Sequence, residues 1–165
     1  MWWSDRRAVL TGLFAAGLGV SGCFRPMLAS DGPAAALRER IAFPEVRDRF
    51  GYFLDESLVA RLGRSTSPEY RLDLSTTISE RGIAVAQDNS VTRVTLVVNS
   101  DWSLRRLSDN QSVMESDVSL SSGYSATTSL FATRQTKRDV ERRLARDLGE
   151  RIARVILARA SELPG

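Results

Sequence analysis

The sequence contains no histidine and only one cysteine, and these two facts argue against several classes of function. Histidine is the commonest general base and the commonest metal ligand, so the usual catalytic and zinc sites lack their main component. A serine nucleophile would depend on Lys137, the one lysine, and the chain has no Gly-x-Ser-x-Gly motif. We therefore expect a protein that is not an enzyme and has no metal site or cofactor.

The one cysteine, Cys23, closes an apolar segment near the N-terminus. Arg6 and Arg7 precede a stretch from Ala8 to Gly19 without charge, which is typical of a secretory signal peptide. About a dozen residues are too few to cross a bilayer, because a spanning helix needs about 20 apolar residues. Val20-Ser21-Gly22-Cys23 is similar to the bacterial lipobox, in which the thiol is acylated and the chain is cleaved before it.

These features predict a lipoprotein signal peptide over residues 1–22 and a lipid anchor at Cys23. The alternative is an unmodified cysteine after an ordinary signal peptide. Arg6-Arg7 fits both the general secretory route and a twin-arginine signal, so the export route stays open. An exported chain is not expected to bind nucleic acid, although its net charge is +3.

Removal of residues 1–22 leaves 165 − 22 = 143 residues, enough for one domain with a hydrophobic core. Without a second cysteine, no intramolecular disulfide can form, so stability must come from packing. Residues 23–38 contain Pro26, Gly32 and Pro33 and are interpreted as a tether. The folded domain is expected over residues 39–165.

Hydrophobic periodicity within that domain predicts the order strand, helix, three strands, helix. The predicted elements are a short edge strand in 39–46, a helix over 51–62 ended by Gly63, strands over 70–85, 91–106 and 111–122, and a last helix that ends near Ala160. Thr136 followed by Asp139 has the form of a capping box and is the predicted N-cap of that last helix. Gly82 is a candidate bulge, and turns are expected at 87–90 and 108–110. We predict an α/β two-layer sandwich, with two amphipathic helices on one face of a four-stranded mixed sheet.

The other face of this sheet is expected to be polar and to meet water or a partner protein. Hydroxyl side chains are dense from Ser119 to Thr136, and this stretch reads either as a strand end with a loop or as a partner surface. Ser119, Ser121 and Tyr124 are the partner-contact candidates.

In the last helix, Asp139 with Arg143, Asp147 with Arg151 and Glu150 with Arg154 are spaced as i,i+4 ion pairs. That leaves Lys137, Arg138 and Arg142, with Arg134, less compensated and open to an anion.

An ordered set of short motifs resembles one family over the whole mature chain. Its elements are Cys23 followed by Phe24 and Arg25-Pro26-Met27, then Arg40-Ile41-Ala42-Phe43-Pro44, Asp48-Arg49-Phe50-Gly51-Tyr52, Arg61-Leu62-Gly63, Tyr70-Arg71-Leu72, and Tyr124-Ser125 ahead of the helix that opens Arg138-Asp139-Val140-Glu141. The set resembles the outer-membrane lipopolysaccharide (LPS) assembly lipoprotein family, LptE, in its alphaproteobacterial form.

The resemblance implies a non-enzymatic lipoprotein of the cell outer membrane, anchored through its N-terminal lipid and facing the periplasm or a barrel lumen. It implies a plug and assembly partner for the LptD β-barrel in LPS transport, with LPS as a ligand. Phe24 after the cysteine also lacks the aspartate that retains lipoproteins in the inner membrane. On the chemistry of cationic side chains with phosphate alone, the LPS candidates are Arg93, Arg105, Arg106, Arg134 and Lys137. The alternative is an auxiliary outer-membrane lipoprotein of an intermembrane lipid-transport ABC system.

Overall fold

The computed structural model describes residues 32–85 and 91–163. The elements in chain order are α1 (Pro33–Leu37), β1 (Ile41–Ala42), α2 (Arg49–Leu62), β2 (Tyr70–Val85), β3 (Val91–Arg106), β4 (Ser112–Ser125), α3 (Leu130–Ala158) and a 3₁₀ turn (Ala160–Glu162). The predicted signal peptide, Cys23 and the turn at 87–90 lie outside the described residues.

The four strands form one mixed sheet in the order β1-β2-β3-β4. β1 pairs with β2 in parallel, while β2, β3 and β4 form the predicted antiparallel meander. The register shifts between Gly82 and Ala84, where the sequence predicts a bulge. Asn110 has φ 57 in the turn after β3, a conformation that asparagine tolerates. The two-layer α/β prediction is confirmed, with β1 shorter than expected.

Both ends of α2 are fixed by local chemistry. The Asp48 carboxylate accepts a hydrogen bond from the Gly51 amide at 2.6 Å and caps the first turn. Gly63 follows the last turn with φ 76 and ψ 165, a backbone region that is essentially restricted to glycine. The Gly63 amide donates to the Val59 carbonyl at 2.9 Å, so the chain leaves the helix at the predicted residue.

The helix α3 begins seven residues earlier than predicted. Its N-cap is Ser129, whose hydroxyl accepts from the Ala132 amide at 3.3 Å. Thr136, predicted as the N-cap, lies inside the helix and donates its hydroxyl to the Ala132 carbonyl at 2.6 Å. None of residues 130–139 is buried, and Val140 is the first buried residue. These ten residues extend about 15 Å at the usual rise of about 1.5 Å per residue.

The core lies between the sheet and the two long helices. Its fully buried large side chains come from β1 to β3 and from both helices: Ile41, Leu58, Leu62, Leu72, Leu96, Leu104, Leu148, Ile152 and Ile156. The side of α3 that carries Leu148, Ile152 and Ile156 therefore faces the core. The helices approach closely at Gly149, where the Ser57 hydroxyl donates to the Arg146 carbonyl at 2.9 Å.

Residues 33–37, which the sequence interpretation places in the tether, form the helix α1 instead. Ala34 and Leu37 are 2% and 4% exposed and belong to the core cluster. Pro33 occupies the first turn of α1, where a proline costs no hydrogen bond. The packed domain thus begins before residue 39.

Candidate functional site

The sheet has one face without helices, which we call the outer face and define by the odd-numbered residues 71–81 of β2, 95–105 of β3 and 115–123 of β4. The even-numbered residues of these strands face the helices and include Leu72, Leu104 and Met114. The register aligns the outer face in cross-strand rows, among them Thr77 with Asn99 and Ser119, Ser75 with Asp101 and Asp117, and Asp73 with Ser103 and Glu115. Val97 is the one aliphatic residue on this face.

Hydroxyl and amide groups occupy the middle of the outer face. Ser119 is exposed and donates to the Asn99 side-chain oxygen at 2.8 Å, and Ser121 is exposed beside it. Two of the three partner-contact candidates, Ser119 and Ser121, therefore lie on the solvent-exposed face of the sheet, as predicted.

Next to the hydroxyl rows, the outer face is acidic and concave. A shallow depression of about 570 Å³ includes Asp73, Asp101, Glu115 and Asp117 among its lining residues. Asp73 contacts Arg71 at 2.9 Å and Arg105 at 3.2 Å. Asp101 and Asp117 lie directly opposite each other on neighbouring strands, and neither has an ion pair within the described residues. Like charges in that position destabilise a sheet, so packing does not explain them.

Tyr124, the third partner-contact candidate, lies on the opposite face of the sheet. It is an even-numbered residue of β4, 7% exposed, and its hydroxyl donates to Glu80 Oε2 at 3.1 Å. Tyr124 therefore lies on a different face from Ser119 and Ser121, because the strand alternation continues unbroken to Ser125, and its contact with a partner stays a prediction.

Tyr124 belongs to a polar cluster that joins β2, β4 and α3. The Lys137 ammonium contacts Glu80 Oε1 and lies 3.8 Å from Glu141. The hydrogen bond from Lys137, opposed by partial burial, lowers the pKa of Glu80 below its ordinary value of 4.5. The same hydrogen bond raises the pKa of Lys137, and burial raises the pKa of Tyr124. The cluster ties the projecting part of α3 to the sheet.

The depressed pKa of Glu80 predicts a pH-dependent contribution to stability. The contribution is present above pH 4.5, the ordinary value, and is lost as the pH falls through the lower folded-state pKa. Because the side chains of Glu80 and Lys137 are 43% and 38% exposed, it should stay below about 1 kcal/mol. Glu80→Gln should lower the melting temperature at pH 6 to 7, with the difference shrinking as the pH falls below 4.5. An unchanged difference across this range would contradict the assignment, and Glu45→Gln, at an exposed loop carboxylate, is the matched control.

The five LPS candidates fall into two groups at opposite ends of the sheet. Arg93 pairs in register with Ser125, near Arg134 and Lys137 in the chain, whereas Arg105 and Arg106 are 12 residues further along β3, about 40 Å away. Three of the five have carboxylate partners: Lys137 contacts Glu80, Arg105 contacts Asp73, and Arg106 contacts Asp109 at 3.1 Å. Arg93 and Arg134 have no ion pair among the described residues.

The ion pairs of α3 also differ from the predicted set. Asp139 pairs with Arg142 in place of Arg143, and Glu150 pairs with Arg61 of α2 at 3.0 Å in place of Arg154. Asp147 and Arg151 do not form an ion pair in the described structure. Arg142 is therefore compensated, and of the four cations expected to be open to an anion only Arg134 and Arg138 lack an ion pair within residues 32–85 and 91–163.

Two further properties of the described residues bear on function. No group of three or more His, Cys, Asp or Glu side chains among them is placed to hold a metal ion. None of the helices in the described ranges combines the length and the hydropathy needed to cross a membrane.

No protein-family model matches the chain, and no curated protein does. Solved structures do match. A candidate lipoprotein from Caulobacter crescentus matches with a TM-score of 0.63 and 25% identity, over 81% of this chain and 98% of that chain. Rare lipoprotein B from Shewanella oneidensis matches with a TM-score of 0.58 and 9% identity, over 72% and 92% of the two chains. A minor lipoprotein from Acinetobacter baumannii matches with a TM-score of 0.57 and 16% identity, over 74% and 93%. The chain has the α/β fold that these bacterial lipoproteins share.

Proposed function

We propose that the chain is a lipid-anchored protein of the outer membrane, held by acyl groups on Cys23, that acts as plug and assembly partner of the LptD β-barrel in LPS transport. The fold shared with bacterial lipoproteins and the lipobox-like Val20-Ser21-Gly22-Cys23 support the anchor. The proposed role is non-enzymatic and uses no cofactor.

The observation that carries the plug role is the outer face. Three strands present hydroxyls, amides and charges there, with one aliphatic side chain, and no helix of the described chain covers them. Contact with water alone does not require a sheet face to carry four carboxylates in a depression of about 570 Å³. The interior of an outer-membrane barrel is polar, so such a face fits a barrel lumen far better than an apolar one would.

LPS contact is proposed for the end of the sheet where β4 leads into α3. Arg93 and Arg134 lie there without a carboxylate partner among the described residues, and guanidinium groups bind phosphate through paired hydrogen bonds. Leu130 and Phe131, in the first turn of α3, are 72% and 73% exposed and suit an acyl chain near Arg134, which follows one turn later in the same helix. This arrangement favours Arg93 and Arg134 over the paired candidates Arg105, Arg106 and Lys137.

Affinity purification from native membranes tests the partner. A C-terminally tagged full chain, extracted in mild detergent, should retain one large β-barrel protein in near-equal amount. Recovery of the chain without any barrel would contradict the proposal, and recovery of ABC-transporter subunits in its place would favour the auxiliary-lipoprotein alternative.

The proposed anchor has a separate test. Cys23→Ser should abolish incorporation of labelled palmitate and leave the product either uncleaved or released from the membrane, because the thiol is the acceptor. Normal palmitate labelling of this variant would contradict the lipobox interpretation.

A further inference from the structure

A second charged feature lies at the far end of the domain from Arg93 and Arg134. A cleft of about 240 Å³ opens where the three helices meet. Its rim carries Arg38, which follows α1, Arg61 from the last turn of α2, and Arg154 and Glu150 from α3. Three arginines, one following α1 and one each from α2 and α3, thus line one small cleft.

The cleft holds more positive charge than its own carboxylate can balance. Glu150 Oε1 accepts from Arg61 at 3.0 Å. The side chains of Arg38 and Arg154 make no hydrogen bond or ion pair with any described residue. Three cations against one anion leave a net charge of +2 on the rim. An excess of positive charge in a cleft concentrates anions there, so the arrangement favours an anionic ligand.

The shape of the cleft narrows the ligand chemistry further. Ala153 and Leu157, 0% and 6% exposed, belong to its lining and give it an apolar floor. The guanidinium fork matches the geometry of phosphate oxygens and donates two parallel hydrogen bonds to them. A phosphate group at the rim with a short apolar segment on the floor satisfies both parts of the site.

We propose that this cleft binds a phosphate group, either as free phosphate or as the headgroup of an anionic phospholipid. The inference stands without the proposed role as a barrel plug, because it depends only on the cleft and its arginines. Gly32, at the start of α1, is 32 − 23 = 9 residues from Cys23, a span of at most about 32 Å of extended chain, so a lipid-anchored form keeps the cleft beside α1 within reach of headgroups.

Nuclear magnetic resonance of the arginine Nε–Hε groups tests the proposal in the detergent-purified full chain. Titration with inorganic phosphate, or with short-chain phosphatidylglycerol below its micelle concentration, should shift the Arg38 and Arg154 signals in a saturable way. Saturation by inorganic phosphate at equal affinity identifies free phosphate, and tighter binding of phosphatidylglycerol identifies a lipid headgroup. No saturable shift with either probe overturns the proposal.

Two double variants that remove the same charge distinguish binding in the cleft from general electrostatic attraction to a basic protein. The double variant Arg38→Gln/Arg154→Gln should weaken binding of the better probe at least tenfold. The control Arg143→Gln/Arg151→Gln removes the same charge from exposed positions of α3 outside the cleft and should change affinity less than twofold. Equal losses in both variants overturn the proposal. If the first variant does not fold, the saturable shifts of the Arg38 and Arg154 signals in the unsubstituted protein are the test of the proposal.

Discussion

Replacing Gly149 with alanine is expected to lower the free energy of unfolding by about 1–3 kcal/mol, the usual cost of an overpacked core. A Cβ atom at this position would lie 2.8 Å from Ser57 Cβ and 3.0 Å from the Leu54 carbonyl oxygen. Both are parts of the facing helix that cannot swing away, so α2 and α3 would have to separate. Helix propensity alone would favour alanine over glycine by about 1 kcal/mol. A loss of stability in Gly149→Ala would therefore show that the steric clash outweighs propensity.

Urea unfolding of a double-mutant cycle measures this contact. Ser57→Gly removes the nearest atoms and should recover part of the loss caused by Gly149→Ala, although it adds a helix glycine and leaves the Leu54 carbonyl in place. The two substitutions should therefore show a coupling energy of about 0.5–3 kcal/mol. A stability gain in Gly149→Ala alone would contradict the close helix packing.

The second large effect is expected on partner binding. Ser121→Trp places a bulky ring on the β4 edge of the outer face, where Ser121 is exposed and pairs in register with Val97. We expect the amount of co-purified barrel to fall at least tenfold, because a polar face packed against the inner wall of a barrel has no room for an indole ring. The melting temperature should stay within about 2 °C, since an exposed strand position accepts tryptophan.

Ser67→Trp supplies the matched control for that experiment. Ser67 is exposed in the loop between α2 and β2, away from the outer face, so this variant should keep both barrel recovery and stability. A loss of stability in Ser121→Trp with barrel recovery intact would instead place Ser121 in a structural role.

The strands were predictable from sequence because one of their faces is buried. Tyr70, Leu72 and Leu74 alternate with polar residues, and β3 occupies residues 91–106 as the alternation predicts. The start of α3 was not predictable in the same way, since residues 130–139 bury nothing and therefore carry no apolar periodicity. Thr136 followed by Asp139 resembles a capping box, but the helix is already under way there.

The same alternation, followed further, would have found the polar cluster. Glu80 has the same parity in β2 as Leu72 and Leu74, so its carboxylate lies on the helix side and needs a cation there. Tyr124 has the parity of Met114 and Val118 and belongs to that side too. Parity alone identifies both residues, whereas the choice of Lys137 as the cation requires the docking of α3 on the sheet.

Ion pairs between elements lay beyond sequence reasoning. Arg61 and Glu150 are 89 residues apart, and only the packing of α2 on α3 brings them together. The helical i,i+4 rule considers one helix at a time, so it pairs Glu150 with Arg154. That pairing makes Arg154 look neutralised and hides the excess of arginines at the cleft. The helix α1 was missed for a related reason: Ala34 and Leu37 give too short an apolar pattern between Gly32 and Arg38 to reveal burial.

Site-specific photocrosslinking in living cells tests the central claim most directly. A photoreactive residue at Ser121 or Ser119, on the outer face, should give an adduct with a large outer-membrane barrel protein, while the same residue at Tyr52, exposed on α2, should give less. Adducts at Tyr52 with none at Ser119 or Ser121 would contradict the assignment of the outer face as the surface that a barrel encloses.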